Sequence, residues 1–314
     1  MAGSSKKAIY AALVGNSLIA VTKFAAAAYT GSAAMLSEGI HSLVDTGNQV
    51  LLLFGIRQSA KPPSENFPFG HGKEIYFWCF IVAMLIFALG GTASIYQGIL
   101  HLNAHEPIKN VMINYAVLSL ALVFEFGALY VALKEFNLSR GDRSVLAAVR
   151  DGKDPTLFVV VFEDSAALLG LLIALIGLVL FQLTGNMIFD ALASIAIGIV
   201  LILTAFWLAK ESKGLLIGES ANADVRNAIH ELLVKEQRID DINEIVTLHM
   251  GPNFVIATIS VDFSSNLTAD QVEAAVTEIN AQIKQIDPRL RRVFIEAESV
   301  EHHARAAPLK DPRL

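Results

Sequence analysis

The sequence is short of cysteine and of charged residues. Its 314 residues include one cysteine, Cys79, so the chain can form no intrachain disulfide and no zinc cluster built from cysteines. Charged residues make up 17% of the chain, whereas a soluble domain carries about 25%. The hydrophobic share is 54%, and the long apolar runs all lie before Lys210. This distribution predicts a membrane domain followed by a smaller water-soluble domain.

Signals for several other classes of protein are also missing. The net charge of −6 argues against a nucleic-acid partner. A metal-dependent hydrolase would need a motif such as HExxH, and the two His-Glu pairs, His105–Glu106 and His230–Glu231, continue as HEPIK and HELLV. Lys6 and Lys7 precede a full-length apolar helix rather than a short hydrophobic region, so no cleavable signal peptide is expected. We therefore expect a protein that is not an enzyme.

Six apolar runs are long enough to cross the hydrocarbon core of a bilayer, which takes roughly 20 residues of helix. They are Ile9–Tyr29, Ala33–Gly55, Ile75–Ile99, Val111–Leu133, Thr156–Leu183 and Met187–Leu208. Polar breaks such as TGS, KPPSENFPFGHGK, NAHEPIKN and TGN separate the runs. The sequence thus predicts an all-α membrane domain of six transmembrane helices over residues 1–210.

The basic residues of the connecting segments fall on one side of this predicted bundle. If the six spans alternate in direction, the side of both termini holds the following residues: Lys6, Lys7, Arg57, Lys61, Lys73, Lys134, Arg140, Arg143, Arg150, Lys153, Lys210 and Lys213. The opposite loops hold only Lys109. Because basic loops stay on the cytoplasmic side, both termini are expected in the cytoplasm, with a bacterial inner membrane as the expected location.

Residues 211–303 alternate helix-like and strand-like patterns. ADVRNAIHELLVKE has apolar residues at helical spacing, and INEIVTLHM and FVIATISVDF alternate as strands around the turn GPN. A second helix follows Thr268, a residue suited to an N-cap, and RRVFIEAE forms a third strand. The order α-β-β-α-β predicts a two-layer α+β domain with its helices on one face of a short sheet. Residues 304–314 are predicted to be a flexible tail.

Ionisable side chains occur inside the predicted spans, where each costs about 2.5–3.5 kcal/mol on insertion scales and is therefore a functional hypothesis. They are Lys23, Glu38, His41, Asp45, Glu125, Glu163 and Asp164. Asp190, near the start of the sixth span, is interpreted as a cap of that span at the interface. Lys23 is interpreted as a structural counter-ion or as a side chain that snorkels outward. Glu125 is either a proton carrier or a buried partner of Lys23.

Two of these residues have the spacing of a metal-binding pair. His41 and Asp45 are four residues apart and share one face of the helix, and Asn48 continues the same stripe. Imidazole and carboxylate ligands suit Zn²⁺ and also Mn²⁺, Fe²⁺ or Co²⁺. Tetrahedral zinc needs about four donors, so a second helix must contribute, and FEDSAALLG offers Glu163 and Asp164 followed by small residues that allow close helix packing. The alternative is that His41 and Asp45 bond each other and merely fix the second span.

Several motifs resemble those of the cation diffusion facilitator family. GNSLIAVTKF with TGSAAMLSEGIHSLVDT resembles the first two spans of that family, PFGHGKE its signature loop and FDALASIAIG its sixth span. LHMGPNFV resembles the first hairpin of the cytoplasmic ferredoxin-like domain, while HSLVDTGNQ, GKEIYFW and FEDSAAL resemble the zinc transporter nine subgroup. The resemblance covers nearly the whole chain. It implies a homodimer in the lipid bilayer that exports a divalent metal, with Zn²⁺ the expected cargo, in exchange for protons by alternating access and without a prosthetic group.

The resemblance also implies a ligand set, two residues four apart from the second span and two more from the fifth. His41 and Asp45 match the first pair, and Asp164 matches the second residue of the other pair. Val160 stands where most of the family has histidine or aspartate, so Glu163 is the nearest replacement, with Asn48 or a water as the alternative. A site richer in oxygen favours Mn²⁺ or Fe²⁺ modestly. A transporter that prefers Mn²⁺, Fe²⁺, Co²⁺ or Ni²⁺ and a membrane-anchored metal sensor therefore stay as alternatives.

Secondary metal sites of the family look depleted in this sequence. Some relatives bind a second zinc in the loop after the second span with an aspartate and two histidines, and those positions read Ser64, Phe67 and His71 here. Only His71 of the three can bind a metal. Glu65 is the candidate second ligand, and a stable zinc site needs about four donors. His249 is the candidate ligand of the tail domain. Other possible metal ligands in the same domain are His230, Glu296, Glu298, His302 and His303. Solvated surface histidines are the favoured interpretation there.

Overall fold

The computed structural model describes residues 2–102, 108, 110–140 and 155–306. Some predictions fall outside these ranges: those that concern Lys109, Arg143, Arg150 and Lys153, the pair His105–Glu106, and the tail from residue 307 onward. The chain divides into two compact units. The first comprises Met1–Gln58 and Glu74–Lys213, and the second comprises Ser59–Lys73 and Gly214–Leu314.

The first unit is built from long helices, one for each of the six predicted apolar runs. They are α1 (Ala2–Thr30), α2 (Ala33–Ser59), α3 (Glu74–Leu102), α4 (Val111–Arg140), α5 (Pro155–Thr184) and α6 (Ile188–Ile217). Within the described residues, four helices, α3 to α6, are long and apolar enough to cross a membrane. The polar side chains of α2 lower its hydropathy, and they include the residues of the predicted metal site. The membrane domain is therefore present with four clearly apolar helices.

The third helix is locally widened and packs closely on α6. It contains a π-helical segment, Ile86–Gly91, after which the hydroxyl of Thr92 donates a hydrogen bond of 3.0 Å to a main-chain carbonyl within that segment. A Cβ added at Gly98 would lie 2.7 Å from the carbonyl oxygen of Ala191 in α6. Only a residue without a side chain allows this approach, so α3 and α6 meet backbone to backbone.

The start of α2 is held by a carboxylate from another helix. Asp190 of α6 accepts hydrogen bonds from the hydroxyl of Ser32 at 2.6 Å and from the backbone nitrogens of Ala33 and Ala34 at 2.5 and 3.4 Å. These nitrogens belong to the first turn of α2, which has no partners for them inside the helix. Asp190 therefore caps α2, and the interpretation that it caps its own helix is wrong.

The second unit contains a three-stranded sheet with helices. Its elements are α7 (Ala223–Val234), β1 (Ile239–Gly251), β2 (Phe254–Phe263), α8 (Ala269–Ile286), β3 (Leu290–Ala297) and α9 (Val300–Ala306). The strand order is β1-β2-β3, with β1 antiparallel and β3 parallel to the central strand. The predicted order α-β-β-α-β is present. The additional helix α9 includes residues 304–306, which the sequence analysis assigned to the tail.

The core of this unit lies between the sheet and the two longer helices. The side chains of β2 that belong to this core are at alternate positions: Val255, Ala257, Ile259 and Val261. They pack with Ile229 and Leu233 of α7 and with Ala275, Ile279 and Ile283 of α8. Alternation in a strand and spacing of three or four in a helix place these residues on facing surfaces. Thr268 is the N-cap of α8 and forms a capping box with Gln271, as its position in the sequence predicts.

The loop between α2 and α3 belongs to the second unit and packs on its hairpin. A Cβ on Gly72 would collide with the carbonyl oxygen of Met250, and the ring of Phe69 lies 6.5 Å from that of Phe254. The ammonium group of Lys73 donates to the carbonyl oxygens of Leu216 and Ile217 at 3.4 and 3.3 Å. Lys73 thereby bonds the orphan carbonyl groups at the end of α6.

Candidate metal-transport site

Four polar residues form one buried stripe along α2. Glu38, His41, Asp45 and Asn48 are separated by three, four and three residues, a spacing that places them on one helix face. Their exposed fractions are 7% or less. Burial of such a face lowers the stability of the fold, since each buried polar group without a hydrogen bond costs roughly 1–3 kcal/mol of folding free energy.

The predicted pair at the centre of this stripe is adjacent but not hydrogen-bonded. Nδ1 of His41 and Oδ1 of Asp45 are 3.3 Å apart. Within the described part of the chain, the two ring nitrogens of His41 make no hydrogen bond. The same is true of Oδ1 of Asp45. The two side chains are therefore in contact with each other without a hydrogen bond.

A residue of α5 reaches this stripe. The side-chain nitrogen of Asn48 donates a hydrogen bond of 2.6 Å to Oε1 of Glu163, which is buried with 5% of its surface exposed. The carboxyl groups of Glu163 and Asp45 are also within hydrogen-bonding reach of each other. The structure thus brings together His41, Asp45, Asn48 and Glu163.

Asp164 lies apart from that group in this conformation. It is half-buried and interacts electrostatically with Glu163 and with Glu125. In the described residues, no three side chains of histidine, cysteine, aspartate or glutamate are gathered closely enough to hold a metal ion. Helical geometry separates Asp164 from Glu163, because adjacent residues point about 100° apart and Glu163 already faces α2. The residue that Asp164 would need on its own face is Val160, which has no donor.

Small residues of α5 follow Glu163 and Asp164. Ala166 and Ala167 of α5 are buried, with 3% and 1% of their surfaces exposed, as the FEDSAALLG motif predicts. Gly170 lies two turns beyond Glu163, and a Cβ added there would be 2.5 Å from Oε1 of Glu38. The stripe on α2 therefore faces α5 from Glu163 at one end to Gly170 at the other.

Lys23 of α1 is fully buried and faces the same stripe. Its ammonium nitrogen is 3.0 Å from Oε2 of Glu38 and donates a second hydrogen bond of 2.7 Å to the hydroxyl of Ser42. The interpretation that Lys23 snorkels outward is wrong, and its interpretation as a counter-ion is confirmed. Its partner is Glu38, whereas Glu125 interacts with it only over a distance. The role of Glu38 was not predictable from the sequence, because nothing along the chain relates this residue to one of α1.

The loop candidates are not assembled into a site in the described residues. Glu65 is exposed, and the ring of His71 packs against that of Phe67 with centroids 4.4 Å apart. No third donor from histidine, cysteine, aspartate or glutamate joins them in the part of the chain that is described.

The tail candidates lie in two separate places. His249 of β1 is fully buried, with Nδ1 3.4 Å from the carbonyl oxygen of Gly251, so its interpretation as a surface histidine is wrong. His303 of α9 pairs with Glu298, Nδ1 to Oε2, at 2.8 Å. Because His249 pairs along the sheet with Val255 and Glu298 bonds to Val261, the two histidines are at opposite ends of β2.

Comparisons with known proteins show the family to which this chain is related. The chain matches the model of the cation efflux transmembrane domain over residues 9–217. It is 35% identical over 292 residues to the mitochondrial proton-coupled zinc antiporter SLC30A9 of Xenopus laevis, which covers 90% of this chain and 52% of that protein. It is 30% identical over 267 residues to metal tolerance protein C4 of Arabidopsis thaliana, which covers 84% of this chain and 58% of that protein.

A third similar protein is comparable in length. The cation-efflux pump FieF of Escherichia fergusonii is 25% identical over 277 residues, which cover 86% of this chain and 87% of the pump. The chain spans just over half the length of the first two relatives, 52% and 58%. These matches confirm the resemblance seen in the motifs, and they favour a transporter over an enzyme. The chain belongs to the cation efflux family, the cation diffusion facilitators.

Proposed function

We propose that this chain exports Zn²⁺ in exchange for protons by alternating access, and that the facing surfaces of α2 and α5 hold the ion. The observation that carries the proposal is the buried stripe in which His41 and Asp45 keep acceptor atoms free of hydrogen bonds within the described residues. Glu163 faces these atoms from α5. The printed name of the Xenopus laevis relative, a proton-coupled zinc antiporter, supports both the ion and the coupling.

The chemistry of these donors supports proton exchange. A histidine and a carboxylate must be deprotonated before they bind a metal, so the arrival of Zn²⁺ releases protons. Protons that enter from the opposite side compete for the same lone pairs and release the ion. The side chains therefore need only to be exposed alternately to the two sides of the membrane for the two fluxes to be coupled.

We propose that Asp164 joins the site when α5 rotates. Glu163 and Asp164 point about 100° apart, so one rotation of the helix exchanges one carboxylate for the other at the face of α2. This exchange would account for the absence of a donor at Val160. A Zn²⁺ ion held by His41, Asp45 and one carboxylate of α5 has a ligand set of ordinary composition.

The surrounding architecture is part of the same proposal. We propose six spans, with α1 and α2 crossing beside the four apolar helices, since the loop lysines and arginines then lie on one side. The order α-β-β-α-β supports a ferredoxin-like domain in the cytoplasm. A homodimer in a bacterial inner membrane is what the family resemblance and the charge pattern suggest. SLC30A9 is named as a mitochondrial protein, so residence in a bacterial membrane rests on the sequence pattern alone.

Zinc flux into proteoliposomes tests the proposed function. Zinc uptake is expected when the lumen is more acidic than the outside and should collapse when the pH gradient is dissipated. The variants D45A and D164A should abolish uptake, whereas E273A, which removes an exposed carboxylate of α8, should transport normally. Uptake that is the same with and without a gradient would reject the coupling. Competition by Mn²⁺, Fe²⁺, Co²⁺ and Ni²⁺ in the same assay tests the preference for zinc.

A further inference from the structure

The buried network of Lys23, Glu38 and Ser42 has no role in the transport scheme given above. It joins α1 to α2 with an ion pair of 3.0 Å and a hydrogen bond of 2.7 Å, and Lys23 and Glu38 have no exposed surface. Stability alone does not explain such a pair, because replacing a buried ion pair by apolar side chains is often neutral or stabilising. An intramembrane lysine and glutamate therefore indicate a function.

The network is electrically coupled to the proposed transport site. Glu38 lies three residues before His41 on the same face of α2. The ammonium group of Lys23 interacts over a distance with His41, with Asp45 and with Glu125. Because water is largely excluded from this interior, unit charges interact there much more strongly than they do in water.

Glu38 also has a contact on its other side. Its Oε2 atom holds Lys23, while Oε1 makes no hydrogen bond within the described residues and points at Gly170 of α5. Gly170 lies on the same face of α5 as Glu163. The Glu38 carboxylate therefore lies between the cation from α1 and the helix that supplies the second half of the site.

We propose that Lys23 and Glu38 are positioning residues that set the affinity of the transport site for its divalent cation. The inference rests on the proposed function. Lys23 supplies a tethered positive charge that offsets the carboxylates of the empty site and opposes the entering ion, which keeps binding weak enough for release. Glu38 holds that charge on the α1 side of the stripe and partly cancels it. The two residues act through the ligands and need not touch the metal.

This arrangement predicts shifts of opposite sign in two neutral variants. K23M removes the opposing positive charge, so the KM for zinc should fall about fivefold or more, and Vmax should fall because release is slower. E38Q leaves the positive charge of Lys23 uncancelled, so the KM should rise by a similar factor. The double variant K23M/E38Q removes both charges and should return the KM to near that of the unmodified protein.

Initial rates of zinc uptake by the full-length protein in proteoliposomes at a fixed pH gradient measure these shifts. The matched control is T30V, which removes the buried hydrogen bond of 3.0 Å from Thr30 of α1 to Asn114 and changes no charge. Its KM should stay unchanged. Elution from a sizing column and the thermal midpoint Tm establish that each variant is folded.

A purely structural pair would give a different pattern. If both single variants move the KM in the same direction, or if neither moves it, the proposal is overturned, as it is if the double variant keeps the shift of E38Q. Should K23M fail to fold, E38Q and the double variant still decide the question. If the unmodified protein moves no zinc, the proposed function fails. The affinity inference is then decided by zinc titration of the detergent-solubilised variants, where the Kd must shift with the same opposite signs.

Discussion

At the scale of the residue, one hydrogen bond decides which acid of α5 faces α2. Glu163 and Asp164 are neighbours in the chain with equal charge, and the sequence alone left open which of them completes the site. The bond of 2.6 Å from Asn48 selects Glu163, and Asp164 makes no such bond in the described residues. The choice depends on the amide of one residue on another helix, a contact between positions 115 apart in the chain.

The variant E163Q tests the importance of this residue. Glutamine keeps an oxygen that can accept the hydrogen bond from Asn48 but carries no charge. Since a carboxylate binds Zn²⁺ far better than an amide does, the Kd for zinc should rise about tenfold or more. Isothermal titration of zinc into the purified protein measures this change. E273Q, the same substitution at an exposed position of α8, is the control, and equal affinities for the two variants would remove Glu163 from the site.

At the scale of the element, glycines determine how closely the helices pack. Gly170 of α5 touches Glu38, whereas a Cβ added at Gly127 of α4 would meet no atom within 4 Å. Both residues lie inside long helices, where alanine is intrinsically preferred to glycine by about 1 kcal/mol. The two positions thus form a matched pair that differs in packing alone.

Alanine at these two positions should therefore have opposite effects on stability. G170A places a methyl group against Oε1 of Glu38, whose Oε2 atom is held by Lys23, so the carboxylate must shift away from Lys23 and Tm should fall by several degrees. G127A should raise Tm slightly or leave it unchanged. Thermal unfolding in detergent, followed by helix content, measures both. A G170A protein as stable as G127A would show that this helix contact tolerates expansion.

The helices and strands were largely predictable because each has a local signal. Apolar runs of about 20 residues mark α1 to α6, and alternation with a GPN turn marks β1 and β2. The short helix α9 (Val300–Ala306) was missed because VEHHARA has no apolar periodicity. The π-helical segment Ile86–Gly91 was missed because IFALGG reads as ordinary helix in a hydrophobic run.

The pairings between distant residues were not predictable from local patterns. His41 and Asp45 were found because their spacing of four is visible in the sequence. The partner of Lys23 and the helix that Asp190 caps could not be inferred, since each contact joins segments whose relative position only the folded bundle defines. The missing ligand at Val160 was visible in the sequence, but its consequence, Asp164 outside the stripe, became apparent only from the packing of α5 on α2.

At the scale of the whole molecule, the orientation in the membrane is open to a direct test. The single native cysteine, Cys79, is fully buried, so a membrane-impermeant maleimide should not label the unmodified protein. A cysteine introduced by E273C in the tail domain should be labelled only in inverted vesicles. N186C, in the exposed turn before α6, should be labelled only in right-side-out spheroplasts. Labelling of both variants from the same side would contradict six spans with cytoplasmic termini.

The carboxylate of Asp190 has a mechanical consequence for such a transporter. It fastens the first turn of α2 to α6, so α2 can pivot about that end but cannot slide along its own axis without losing three hydrogen bonds. His41 is eight residues from Ala33, about 12 Å along the helix. Tilting of α2 about this end would displace the proposed metal ligands modestly and the opposite end of the helix, near Arg57, about three times as far.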